Sequence, residues 1–172
     1  NVGNTTLLAP IEYADISAYE FTGIKDYTFT GDSIYQQEIT SSLPKEQYVA
    51  VNYHNNVHAG KANFLVEGVF PYTIGSKYHE FTINPAQLEG DIEMDTDTVY
   101  FFYHAQAITP AWKFTNQAYS QLRDRIDYWA EYSNNNYPGT ATLTVSGIGD
   151  YTGTFTKQST IDKAQLPEDL YH

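Results

Sequence analysis

The sequence of 172 residues contains no cysteine. That excludes disulfide staples, a thiolate nucleophile and thiolate metal ligands, so a small fold must hold itself together by apolar packing or by bound ions. Basic residues are scarce as well, 9 against 21 acidic ones, for a formal net charge of -12. An acidic surface of this kind repels phosphate backbones and anionic headgroups, so nucleic acid is excluded as a partner. Long apolar runs are missing too. The best stretch, Val99 to Tyr103, falls far short of the ~20 residues that cross a bilayer as a helix, and no membrane insertion is expected in this segment. The chain also lacks a nucleophile elbow, a phosphate loop and a paired metal-ligand motif, so the reading is of a protein that is not an enzyme.

What the chain does have is aromatic residues, 16 Tyr and 9 Phe, with abundant Thr. That composition favours strands over helices and fits secreted β-rich surface proteins. The chain also repeats itself. Sliding it by 79 positions lays Leu43 to Thr73 over Leu122 to Thr152 without a gap, with 10 identities in 31 pairs. They include Tyr53/Tyr132, Asn55/Asn134, Asn56/Asn135, Gly60/Gly139, Gly68/Gly147 and Tyr72/Tyr151. These are turn formers, strand formers and aromatics; no acid, base or nucleophile is duplicated. A copied scaffold without a copied reactive group points to a modular structural or binding protein.

A second echo marks the joints. Thr82 to Leu88 recurs 78 positions later as Thr160 to Leu166. The expected organisation is residues 1–9 as the tail of a preceding segment or a swapped strand, 10–84 as a first repeat, 85–162 as a second, and 163–172 as the opening of a further repeat or a C-terminal strand. The chain reads as a piece of a longer array, with neighbouring repeats as its first partners. Pro85 fixes its own φ and restricts Asn84, so the joint is expected to be semi-rigid.

Period-two alternation predicts the strands. Ala141, Leu143 and Val145 share one face of 140–146, and Ala62, Phe64 and Val66 share one face in the first copy. Each copy carries Asn-Asn followed by Gly, at Asn55, Asn56 and Gly60 and at Asn134, Asn135 and Gly139. Asn tolerates the left-handed region and Gly permits positive φ, so a hairpin is expected there. Gly147 interrupts the next stretch, with Tyr72 and Tyr151 expected as aromatic plugs against the core. The one helix candidate is Gln117 to Asp127, with Leu122 and Ile126 four apart. Short strands punctuated by Gly, Asn and Pro, twice over, predict an all-β fold with a sandwich in each unit and little helix.

The run from Tyr132 to Thr154 resembles the core signature of tandem immunoglobulin-like repeats in large surface proteins of Gram-positive bacteria. It holds a Tyr-x-Asn-Asn hairpin, an alternating Ala/Thr/Val strand, a Gly-x-Gly-Asp-Tyr-x-Gly turn and a Thr-rich closing strand. Ala107 to Pro110 and Asp127-Tyr128 fit the same pattern, so the resemblance covers nearly all of the second unit. The first unit departs from it, with Phe70-Pro71 where Gly149-Asp150 stand and Ile74 where Gly153 stands. The resemblance implies Ig-like sandwiches, an extracellular place at the cell surface or in the cell wall, and work as a stalk, spacer or adhesin. It implies no catalytic residues.

Three candidate constellations remain. Asp91, Glu93, Asp95 and Asp97 alternate, so a strand would put their carboxylates on one face, and Ca²⁺ is the cation such oxygens suit; no other cofactor is expected. Against this, an acidic row also protects an edge strand, and a flat strand does not converge its ligands. His54 and His58 flank the first hairpin, but Ser133 and Tyr137 at the matching positions repeat no metal site. Trp112, Tyr128, Trp129 and Tyr137 form the third group, a stacking surface for a glycan or a host surface protein, with core packing as the plainer use of the same rings. A third functional reading has the segment before Pro10 completing a neighbour's sheet by strand addition, as a self-assembling fibre subunit would.

Overall fold

The computed structural model describes residues 12–95, 100–102 and 107–163. The segments 1–9 and 164–172, and Asp97 with them, lie outside the described residues. The chain divides into two compact units, Asn1–Asn84 and Pro85–His172, and is predominantly β. Among the described residues the only helical elements are three single 3₁₀ turns, at Ile16–Ala18, Lys45–Gln47 and Gln117–Tyr119, and none is long and apolar enough to cross a membrane.

The first unit contains β1 (Ala14–Asp15), β2 (Tyr27–Thr28), β3 (Tyr48–His54), β4 (Gly60–Gly68), β5 (Thr73–Ile74) and β6 (Ser76–Asn84). One sheet runs β2-β6-β4-β3, antiparallel except for the parallel β2–β6 pair; β1 and β5 pair in parallel apart from it. The alternation of β4 puts Ala62, Phe64 and Val66 fully inside, against Ile16, Phe21, Phe81 and Ile83. Each such large apolar side chain withdrawn from water contributes roughly 1.5–3 kcal/mol. Phe64 stacks on Tyr53 at 5.0 Å and on His79 at 5.5 Å.

The second unit contains β7 (Ala86–Gln87), β8 (Ile92–Met94), β9 (Tyr100–Phe102), β10 (Trp112–Phe114), β11 (Tyr128–Ser133), β12 (Gly139–Gly147), β13 (Tyr151–Thr152) and β14 (Thr154–Lys163). Its large sheet runs β9-β14-β12-β11, with β9–β14 parallel and the rest antiparallel, and β7 pairs with β13 in parallel. The order and sense match the first unit strand for strand. An antiparallel pair, β8 with β10, completes the described sheets.

The repeated residues fix the backbone in the same way in each unit. Asn55 and Asn134 adopt φ of 56° and 54°, and Gly60 and Gly139 adopt 134° and 138°, the left-handed positions a tight hairpin needs. The Asn56 side-chain amide donates to the Ile34 carbonyl at 3.0 Å, and that of Asn135 donates to Ile108 at 3.1 Å. The returning bonds, from the Ile34 and Ile108 N–H groups to the Asn56 and Asn135 carbonyls, are 2.8 and 2.9 Å. The Tyr53 hydroxyl accepts from the Gln36 N–H at 3.0 Å, while that of Tyr132 donates to the Pro110 carbonyl. One Tyr and one Asn per unit thus tie the hairpin to the segment that crosses to it. Gly68 and Gly147 are required for a different reason: a Cβ on either would lie 2.7 Å from backbone atoms of Thr73 and Ile74 or of Thr152.

The constant offset of 79 holds only for the hairpin and for β4 with β12. Tyr48 faces Gly68 as Tyr128 faces Gly147, so upstream the offset is 80. The extra residue is absorbed by a bulge in β3 at Asn52, φ 55°. Val49, not Ala50, is therefore the counterpart of Trp129; both are exposed, at 44% and 46%. Downstream, the Gly68 N–H donates to the Gly75 carbonyl and the Gly147 N–H to that of Gly153, so the offset falls to 78. The turn in the first unit, which holds a cis Phe70–Pro71 peptide, is one residue longer.

This shift corrects the reading of Tyr72. Thr73 pairs with Ala14 as Tyr151 pairs with Ala86, so Thr73 is the counterpart of Tyr151. Tyr72 is 57% exposed and plugs nothing. The buried place belongs to Thr73, whose hydroxyl donates to the Gln47 carbonyl and accepts from the Val69 N–H. Tyr151 is half-buried beside Tyr119, ring centroids 6.4 Å apart.

The expected helix over Gln117 to Asp127 is a chain of turns. Asn116 caps the 3₁₀ turn through its side chain, which accepts from the Ala118 N–H at 3.0 Å. Arg125 takes φ 67° and donates its N–H to the Tyr128 carbonyl, while the Asp127 carboxylate accepts the Arg123 N–H at 2.8 Å. Ile126 stays 52% exposed, so the segment has no apolar stripe to bury and nothing to hold a helix.

Candidate functional site

On the second unit the large sheet ends at β11, and β10 belongs to the separate two-stranded pair with β8. Between β10 and β11 lies a cleft of about 690 Å³. β11 alternates Tyr128, Ala130 and Tyr132 inward, and β10 contributes Trp112 and Phe114. The turns that follow β10 bring Tyr119 and Arg125 to the same cleft. The rings meet edge to face: Trp112 and Phe114 centroids are 5.1 Å apart, Trp112 and Tyr128 5.3 Å, and Phe114 and Tyr119 5.5 Å. In that arrangement each ring stabilises the next, and Trp112, Phe114, Tyr119 and Tyr128 all stay only partly buried.

Trp129 points the other way from Tyr128 and stands at the lip of the cleft, with the Arg125 guanidinium 5.7 Å from its ring centre. Burial, then the charges of Asp124 and Asp127, push the Tyr128 hydroxyl above its ordinary value, so it remains a donor at neutral pH. Of the four aromatic candidates, Trp112, Tyr128 and Trp129 come together. Tyr137 does not; it sits on the β11–β12 hairpin, 62% exposed and outside the cleft. The hairpin projects it past the strand end, which a list of aromatics does not reveal.

Phe114, Tyr119, Gln117 and Arg125 are cleft residues that the sequence reading missed. Their signal was the Trp-x-Phe alternation followed by an Asn cap, hidden by reading the next residues as a helix. Seventy-two residues upstream of Met94 and Trp112, which pair in β8 and β10, Thr22 and Thr40 form a single bridge. The first unit thus has two threonines, hydroxyl to hydroxyl at 2.7 Å, where the second has a methionine and a tryptophan.

The acidic row is dispersed by its partners. Asp91 meets the Lys157 ammonium at 2.8 Å, and that contact, with the Ile92 N–H, holds its carboxyl below the usual carboxylate range. Glu93 lies across from Lys113 at 3.6 Å. Among the described residues of the row, 92–94 form a strand, Gly90 turns the chain before it, and Asp95 follows its end. Among the described residues no three His, Asp or Glu side chains gather as a metal site. Of the two hairpin histidines, His58 stacks on Phe29 at 6.2 Å.

Comparison with protein-family models, with curated proteins and with solved structures finds no match for this chain.

Proposed function

We propose that this chain is a non-enzymatic, extracellular segment of a bacterial surface protein, built from two Ig-like sandwich repeats that act as a stalk or spacer and carry an adhesive face. One observation carries the reading: the two units use the same Tyr and Asn, at Tyr53 with Asn56 and Tyr132 with Asn135, to tie the same hairpin to the same crossing segment. A framework is retained while the side chains around it are free to change, which is how an array of spacers diverges. The matched strand orders support sandwich repeats, and the resemblance of Tyr132 to Thr154 supports the Ig-like class.

The cleft favours adhesion as a second role, because its two tryptophans are residues the duplication did not keep. Trp112 and Trp129 have Thr40 and Val49 as their counterparts. Antibody raised against the folded segment tests the location. It is expected to label intact cells of the source organism; labelling that requires permeabilised cells contradicts the proposal.

A further inference from the structure

We infer that the cleft between β10 and β11 is a binding site for a neutral oligosaccharide. The inference rests on the geometry of the second unit and stands whether or not the chain proves to be a surface spacer.

Three properties of the site select the ligand. The first is two-sided chemistry along one wall. Trp112, Phe114 and Tyr128 line it with half-buried aromatic rings, and beside them Asn116, Gln117 and Arg125 offer planar polar groups. A sugar ring has the complementary structure, an apolar C–H face and a rim of hydroxyls that both donate and accept. The Asn116 carbonyl oxygen is occupied in capping the 3₁₀ turn, which leaves its NH₂ group directed to other acceptors. Gln117 is exposed at that turn with a donor and an acceptor on one side chain.

The second property is charge. The cations at the cleft are matched by acids at the cleft: Lys113 by Glu93 at 3.6 Å, and Arg125 by Asp124 at 3.9 Å. The local sum is zero within a chain whose net charge is -12, so an acidic ligand meets long-range repulsion and no spare cation. The third property is extent. A neighbouring hollow of about 260 Å³ shares Glu93, Trp112 and Lys113 with the main cleft and continues over Met94 and Ala111. Together they suit several linked rings better than one.

Both tryptophans of the chain lie at this cleft, so their indole N–H signals report on it directly. The test is a titration of the intact chain, followed by NMR, with neutral probes (maltohexaose, xylohexaose and lacto-N-neotetraose) and acidic ones (3′-sialyllactose and oligogalacturonate). At least one neutral probe is expected to shift both indole signals. Trp129→Ala and Gln117→Ala, at exposed positions where folding is not at risk, are each expected to weaken that binding about tenfold while leaving the remaining amide spectrum in place. Response to acidic probes alone overturns the charge argument. No response to any sugar, or response only to an extended peptide added along the open β11 edge, overturns the assignment. An unchanged affinity in both variants places the sugar elsewhere and overturns it as well.

Discussion

His79 shows how one position sets a property of a whole unit. It lies on β6 opposite Phe64 and between the Phe64 and Phe21 rings, where burial holds its pKa below the ordinary 6.5. The Lys77 and Glu20 charges act on it in opposite directions and are secondary. A base with a depressed native pKa is protonated first in the unfolded chain. Stability of the first unit is therefore complete above about pH 6.5 and declines as pH falls below it, until the native pKa is reached. Unfolding midpoints measured from pH 8 to 5 are expected to drop, and His79→Gln is expected to remove the slope in that window. The counterpart in the second unit, Lys157, lies opposite Leu143 and reaches out to Asp91, and no histidine stands among the described residues of that unit.

Hairpins and edges account for most of what differs between the expected and the observed elements. Removing the amide anchor by Asn56→Ala or Asn135→Ala leaves a backbone carbonyl short of a donor and is expected to cost about 1 kcal/mol in either unit, measured by denaturant unfolding. A cost in one unit alone argues against equivalent roles. These anchors were half legible in the sequence: the identities at Asn55, Asn56, Gly60 and Gly68 mark a turn and a close approach, but the partner carbonyls, Ile34 and Ile108, lie too far along the chain for any local pattern to name. The alternation of β4 and β12 was fully legible because the pleat has period two and one face is buried. Register was less so. A single bulge at Asn52 and a longer turn at Phe70-Pro71 change the offset from 80 to 79 to 78, and a gapless alignment assigns Trp129 and Tyr72 the wrong counterparts. The cleft was legible as residue types at Trp112, Tyr128 and Trp129; its depth was not, because it depends on the turns around Arg125 that replace the expected helix.

Taken whole, the molecule is a repeated framework, with one strand order and one kind of hairpin anchor in each unit. The absence of cysteine leaves each unit to its own apolar core, and those cores are composed differently. The first buries Phe64, Phe81, Ile16 and Ile83, whereas among the described residues the second encloses Ile92, Leu143 and Val145 in its central cluster and leaves five aromatic rings half-buried around it. A core that stops short of covering its rings leaves room for a cleft, at some expense in packing. Units of this size bury a modest share of their surface, so a copied unit is viable only if each copy folds on its own hydrophobic cluster. The most direct measurement expresses Asn1–Asn84 and Pro85–His172 as separate chains and records their amide spectra and thermal unfolding. Duplication predicts that each gives dispersed signals and one cooperative transition. Either half remaining unfolded, while the intact chain melts in a single step, would contradict two self-sufficient copies.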